Sequence, residues 1–304
     1  MSSASRSMSR SASNKAPAAL ICCLAAAAVL AAAGTAPSAG QEAPTDPAAW
    51  SREAKEDFLG TAEIVRREVL KGGTTRSERA TLSDARGTHD AHIQQVDISA
   101  AKFEGTGGQW EINFRDTYKF NLAAYILSRM LGMDMIPPTV ERKVGKKPAA
   151  VTWWIDNRLM DEKERLARGV MPPDPELWNR QIYIVRVFDQ LVANKDRNYG
   201  NIIITTRWDV WIIDHTRAFR SYKQLLNPED LVRCDRTMLE AMRRLDKPTL
   251  AARIGTYLTS MEMDCLLARR DRIVKFFDAK AAAPGGQDVL FDYLSARGAA
   301  AGPD

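Results

Sequence analysis

Residues 189–214, DQLVANKDRNYGNIIITTRWDVWIID, gather Asp189, Asn194, Asp196, Asn201 and Asp214 into one short stretch, with Arg197 among them. Residues 178–192 place Ile182, Val185, Phe188, Leu191 and Val192 at helical spacing and read as a helix. The polar run 194–201 cannot continue that helix. A β-rich run at 202–205, a turn at 206–209 and a second strand at 210–213 predict a hairpin that ends on Asp214. Because a hairpin folds back, Asp214 is expected near Asn201 and Asp196, so that two carboxylates and an amide oxygen converge. Oxygen ligands of this kind suit Mg²⁺ or Mn²⁺, with phosphate oxygens and water completing the octahedron. A turn that only caps a helix and a hairpin has no need of the second aspartate after the returning strand.

The pattern D-x-x-x-x-N-x-D-R-x-x-x-N, followed by a strand hairpin and I-D, resembles the catalytic and metal loops of the atypical kinases. These include the secreted Golgi casein-kinase family, the HipA toxin kinases, actin-fragmin kinase and the phosphatidylinositol 3-/4-kinases. The continuation IIDHTRAFR looks like a bacterial branch of that group, and the resemblance runs over residues 116–220 and is weak outside them. It implies that Asp196 is the catalytic aspartate, orienting or deprotonating an acceptor hydroxyl, and that Asn201 and Asp214 are the metal ligands. Arg197, in the same catalytic loop, would brace it more than touch substrate. The donor would be ATP or another nucleoside triphosphate, with Mg²⁺ or Mn²⁺. The implied fold is α+β, a two-lobe protein-kinase-like fold with a small β-rich N-lobe and a mostly helical C-lobe.

The elements that must position this stretch follow from the rest of the chain. Residues 62–70 and 78–83 read as strands joined by the small flexible loop Lys71-Gly72-Gly73-Thr74-Thr75, with a turn at 84–87 and a third strand at 91–98. In a kinase small lobe such a loop covers the phosphates, so Gly72, Gly73 and Thr74 are candidate nucleotide contacts; an ordinary hairpin turn fits the same residues. The family pattern breaks on the third strand. Ala91-His92-Ile93-Gln94 occupies the place of V-A-I-K, which puts Gln94 where the phosphate-binding lysine belongs. The helical stretch DTYKFNLAAY, from Asp116, resembles the Golgi-kinase helix but has Asn121 where that helix has Glu. Both members of the ion pair are thus amides, which avoids a stranded buried carboxylate and leaves groups that can hydrogen-bond each other or a phosphate. Lys102 or Lys71 could replace the lost positive charge.

Around these, Gly132 ends the helix, residues 133–140 and 149–155 lead into and form further strands, and 141–147 are a charged hairpin. Trp153 and Trp154 either stack on adenine or face the core and the lobe interface. Residues 161–168 are a short charged helix. His215 either orients Asp214 or simply packs, and Arg217 either pairs with Asp189 or holds its own segment. The remainder is helical: 228–245, 249–257, a helix over 261–280 capped by Ser260, and 288–294.

Residues 1–40 combine a basic start, an apolar run at 16–33 and a small-residue zone, the pattern of a signal peptide; the run is also long enough for an N-terminal anchor. Residues 41–60 read as a linker and short helix, 61–155 as the N-lobe, 156–294 as the C-lobe and 295–304 as a fraying tail. Export to the periplasm or cell exterior follows, or tethering to the inner membrane through residues 16–33. The formal charge of +5 includes Arg6, Arg10 and Lys15 of this leader, so the mature chain carries +2 and gives no argument for nucleic acid. Apolar residues make up 45% and charged residues 27%, enough apolar chain for a sizeable core. Cys234 and Cys265, both in stretches that read as helical, either pair in an oxidising compartment or stay as separate buried thiols. The acceptor is open among protein, sugar, lipid and small molecule. The amide pair also leaves two further readings: a pseudokinase that binds a nucleotide or a partner without turnover, and AMP transfer from a flipped ATP.

Overall fold

The computed structural model describes residues 46–70, 77–105, 108, 110–195 and 197–296. The expectations for residues 1–40, Lys71, Gly72, Gly73, Thr74 and Asp196 lie outside the described residues.

Ser51 accepts from the Ala54 N–H and starts α1 (Arg52–Thr61). There follow β1 (Glu63–Val69), β2 (Glu78–Asp84), β3 (Gly87–Gln94), β4 (Asp97–Glu104), β5 (Trp110–Thr117), α2 (Lys119–Met130), β6 (Thr139–Val144) and β7 (Lys147–Trp153). Five of these strands form one antiparallel sheet in the order β1-β2-β3-β7-β6. Strand alternation sorts its faces. Ala80 and Leu82, Ala91 and Ile93, and Ala149, Val151 and Trp153 are buried with Trp50 and with Phe58 and Leu59 of α1. Burying a side chain the size of Phe58 or Leu59 contributes about 1.5–3 kcal/mol, so α1 is an integral layer of this lobe. The opposite face carries Arg79 and Thr81, His92 and Gln94, and Ala150 and Thr152. There Ala150 packs against Tyr118 and Leu122, which brings the start of α2 under the sheet.

The third strand begins and ends earlier in the chain than expected, at Gly87–Gln94. It ends at Gln94, whose side-chain oxygen accepts the N–H groups of Gln95 (2.9 Å) and Val96 (3.0 Å). That oxygen satisfies the backbone donors at a corner, and the chain leaves for a separate hairpin of β4 and β5, paired from Asp97↔Thr117 to Glu104↔Trp110. Asp116 and Thr117 end β5 and do not begin the helix. Gly132 closes α2 as expected, with φ +68°, and a Cβ there would meet Thr237 Cγ2 at 3.2 Å.

The helical part continues through β8 (Arg158–Asp161), α3 (Glu162–Arg168), α4 (Pro175–Val192), β9 (Ile202–Thr205), β10 (Val210–Ile212), β11 (Cys234–Asp235), α5 (Arg236–Arg244), α6 (Lys247–Ile254), α7 (Ser260–Ala282) and β12 (Leu290–Phe291). Its core joins Phe120, Leu127, Phe188, Leu191, Met238 and Phe277. α4 begins with the Asp174 side chain on the Leu177 N–H and proline at its first position.

Three expectations are corrected here. The helix expected over 228–245 is broken, because Asp235, fully buried, caps α5 through the Met238 N–H (3.1 Å) and takes the Tyr293 (2.8 Å) and Leu294 (3.0 Å) N–H groups on its other oxygen. That tie draws the C-terminal segment into a parallel pair of β11 and β12 in place of the helix expected at 288–294. Thr259, not Ser260, caps α7, in a capping box with Glu262. Cys234 therefore lies in a strand and Cys265 in a helix; both are buried free thiols, and burial pushes the Cys234 thiol up.

Candidate active site

The site begins where α4 runs out. Ala193 turns left-handed (φ 49°), the Asn194 N–H returns to the Asp189 carbonyl (2.9 Å), and the Asn194 amide donates to Asp189 Oδ1 (3.1 Å). Asp189 is buried and also receives the Arg197 guanidinium as a fork, Nε to Oδ2 at 2.9 Å and Nη2 to Oδ1 at 2.8 Å. The same guanidinium donates to the Ile213 carbonyl (2.8 Å) and to His215 Nε2 (3.0 Å). One arginine thus joins the end of α4, the loop after it and the strand end that carries Asp214. It braces the loop, as its position in the sequence suggests.

The hairpin forms at the expected residues, with Ile202↔Ile212 and Ile204↔Val210 in register. Past the last pair, the Ile213 N–H donates to the Asn201 carbonyl at 3.1 Å. Asn201, half-buried, therefore lies across the ladder from Ile213, and the next residue is Asp214. Asp214 is exposed and left-handed (φ 57°), with Oδ1 accepting from Thr216 Oγ1 at 3.1 Å. Gln181 of α4 fixes the other end of the hairpin: its amide donates to the Trp208 carbonyl (3.0 Å) and accepts from Val210 N–H (2.8 Å).

The segment after Asp214 is held from the opposite side. Asn121 Oδ1 accepts the His215 N–H (2.8 Å), the Thr117 N–H donates to the Thr216 carbonyl (2.9 Å), and Arg217 Nε pairs with buried Asp116 (2.8 Å). Arg217 so holds its own segment, and Asp189 belongs to Arg197. His215 is buried, and its ring meets Phe188 edge-on at 5.9 Å. Burial, and then the Arg197 charge, hold its pKa well below the ordinary histidine value. Arginine can only donate, so Nε2 accepts and the proton sits on Nδ1. This is a packed, neutral histidine.

On the sheet side, His92 is half-buried. Burial lowers its pKa, and the charge of Asp214 opposes that effect. Gln94 is buried, with its oxygen on the Gln95 and Val96 N–H groups. Trp153 lies in the core with Trp50 and Phe58, and Trp154 on the other face lies under Arg79 (4.4 Å). The Lys102 ammonium sits 3.7 Å over the exposed Trp110 ring. Gln181, Thr117 and Asp116 were missed by sequence reasoning. The visible signal for Gln181 was a polar residue within the apolar stripe of α4; Thr117 and Asp116 carried none.

The donor set fits a hard divalent cation: an exposed carboxylate and a nearby amide residue, all oxygen donors. Among the described residues no three His, Cys, Asp or Glu side chains gather into a metal cluster. Asp214 and Asn201 are the residues of this hairpin end that could hold a cation.

No family model matches the chain, and no curated protein does. The structure is similar to a hydra Fam20 solved with a sugar, at a TM-score of 0.55 and 16% identity over 78% of this chain and 90% of that one. It is also similar to the Golgi casein kinase, at a TM-score of 0.53 and 14% identity over 79% and 78% of the two chains. A structure of the Golgi casein kinase with Mn and ADP bound gives a TM-score of 0.50 and 13% identity, over 74% of each chain. The chain has an atypical protein-kinase-like fold. In that kinase-like frame the sheet with α1 and α2 is the β-rich N-terminal region, and the helices from α3 onward are the helical C-terminal region. The segment after Asp214 meets the N-terminal region through Asn121, Thr117 and Asp116, which hold His215, Thr216 and Arg217.

Proposed function

We propose that the chain is an ATP- and divalent-metal-dependent phosphotransferase acting on a hydroxyl acceptor. The observation that carries this reading is the hairpin that sets Asn201 across from Ile213 and so beside Asp214, braced through Arg197 to the loop of Asp196. A plain structural turn would not bring an exposed carboxylate, held left-handed, beside an amide residue at the mouth of such a loop. The Mn and ADP in the Golgi casein kinase structure support the choice of cofactors.

In this reading Asp196 orients the acceptor hydroxyl and takes its proton as the acceptor oxygen bonds to the terminal phosphorus and the bond to ADP breaks. Asn201 and Asp214 would hold Mg²⁺ or Mn²⁺, which would offset charge developing on the phosphate oxygens. Arg197 would keep the loop in place and touch no substrate. Gly72, Gly73 and Thr74 would be the nucleotide-covering contacts. The sugar in the hydra Fam20 structure makes a sugar hydroxyl the first acceptor class to try, before protein, lipid and other small molecules. Export, or a tether through residues 16–33, belongs to the same proposal; among the described residues no helix is long and apolar enough to cross a membrane.

The test is nucleotide product analysis by mass spectrometry with ATP and Mg²⁺ or Mn²⁺, beside Asp196→Ala and Asp214→Asn. Metal-dependent ADP that both substitutions remove supports the reading. AMP or an AMP adduct replaces it with AMP transfer. A second reading, a pseudokinase, is favoured by one observation: at positions 94 and 121 the amide oxygens are engaged with backbone N–H groups, and neither position supplies charge. ATP left intact with both metals and the acceptor classes named, yet bound, would favour it.

A further inference from the structure

We propose that His92, and not Gln94, is the residue of β3 that meets the phosphates of the nucleotide. This rests on the phosphotransferase reading and assigns a contact within that site.

Strand geometry gives the direction. Ala91 and Ile93 are buried against α1, so His92 projects from the opposite face of the sheet. On that side Ala150, across from Gln94, packs against Leu122 of α2, and the adjacent Asn121 holds the N–H of His215, the residue after Asp214. His92 thus lies on the sheet face turned to α2 and to the segment of the residue proposed to hold the metal.

The end of the sheet agrees. β1 and β2 close their pairing at Val69↔Glu78, and Glu78 pairs with Ile93. β1, β2 and β3 thus share the sheet end at which His92 and Ile93 lie. Arg79, directly across from His92, is already paired with Asp90 and lies over Trp154. Lys102 lies over Trp110, and the Gln94 oxygen holds the strand corner.

An imidazole supplies an N–H donor to a phosphate oxygen without the full-time charge of an ammonium. The contact is a hydrogen bond to a charged group, so its removal is expected to weaken binding of a phosphate-bearing ligand roughly tenfold to a hundredfold. It should leave a ligand without phosphate unaffected.

The experiment is calorimetry of the full chain with Mn²⁺ and a non-hydrolysable ATP analogue, and separately with adenosine. The variants are His92→Ala, His92→Phe, His92→Lys and Gln94→Ala. His92→Phe keeps the ring volume and removes both nitrogens, which guards against a collapse caused by a lost side chain. The expected result is a tenfold to hundredfold loss of the analogue in His92→Ala and His92→Phe, with adenosine within about twofold, and recovery in His92→Lys. Gln94→Ala should move both ligands together. An analogue-to-adenosine ratio unchanged in both His92 variants overturns the assignment to His92 while nucleotide binding stands. A wild-type chain that takes neither ligand overturns the phosphotransferase reading and this assignment with it.

Discussion

The side-chain oxygen of Asn121, in the first turn of α2, accepts the backbone N–H of His215 at 2.8 Å, across 94 residues of sequence. His215 follows Asp214, so a neutral amide couples α2 to the peptide that carries Asp214. The coupling runs through one buried hydrogen bond.

Asn121→Leu should therefore act on stability first. It leaves the His215 N–H buried without an acceptor, at a cost of about 1–3 kcal/mol. Urea unfolding should show the loss with an unchanged m-value. If the chain is the proposed phosphotransferase, loosening the segment of Asp214 should also raise the metal requirement for nucleotide turnover. If Asn121 instead contacted nucleotide alone, affinity for nucleotide would drop at constant stability, and this account of Asn121 would be wrong.

Arg197 and Asp189 are a different kind of coupling. Their side chains are each 11% exposed and meet as a fork. Arg197→Met leaves Asp189 as a buried charge that keeps only the Asn194 amide. A loss of about 3–5 kcal/mol is expected. Asp189→Asn in the same background should restore part of it, and a double-mutant cycle measures how much. Arg197→Lys should also fail to rescue fully, since a lysine cannot hold the carboxylate, the Ile213 carbonyl and His215 from one planar group.

The parts of this site that the sequence disclosed are local ones. The end of α4, the polar turn and the hairpin from Ile202 to Ile212 rest on spacing and turn chemistry within a few residues of one another. The two-lobe fold could be read because the residues from Asp189 to Asp214 resemble the catalytic and metal loops of the atypical kinases, and the resemblance implies that fold. What stayed hidden depends on partners far along the chain. Nothing near Asn121 announces His215, and nothing near Asp235 announces Tyr293. The β4–β5 hairpin was missed although Trp110, Ile112 and Phe114 alternate with Glu111, Asn113 and Arg115 as strand residues do; what the pattern does not disclose is that Trp110 and Ile112 are exposed and that β4 and β5 pair apart from the main sheet. The corner at Gln94 likewise depends on where one amide oxygen turns, which periodicity does not record.

The N-terminal sheet should show a defined acid response at Asp156. Its carboxylate binds His89 Nε2 (2.7 Å) and Trp153 Nε1 (2.9 Å), joining the end of β7 to β3. Burial alone would raise its pKa, but the hydrogen bonds from His89 and Trp153, together with the charges of His89 and Lys55, hold it below the ordinary value. As pH falls, the unfolded chain, with a carboxyl near about 3.9, takes up the proton before the folded chain does. The contribution is therefore whole above that value and is lost as pH falls through the folded pKa. Asp156→Asn should lower stability at pH 7 by on the order of 1 kcal/mol and have progressively less effect towards pH 2. Thermal unfolding of both proteins across that range measures it, and an equal difference at every pH would refute the assignment.

Asp214 can be separated into its backbone and its charge. Its φ of 57° is a region that aspartate and asparagine tolerate and β-branched residues do not. Asp214→Asn keeps that tolerance and an oxygen for Thr216, so the fold should be disturbed by less than about 0.5 kcal/mol. Asp214→Val should cost about 1–2 kcal/mol through the backbone alone. If the carboxylate holds the cation, both variants should lose Mn²⁺ binding, read directly by electron paramagnetic resonance of the free ion in the presence of ADP. The comparison isolates charge from conformation, because only one of the two variants is strained. A stable Asp214→Asn chain that still binds Mn²⁺ and ADP as the wild type does would move the metal away from this residue.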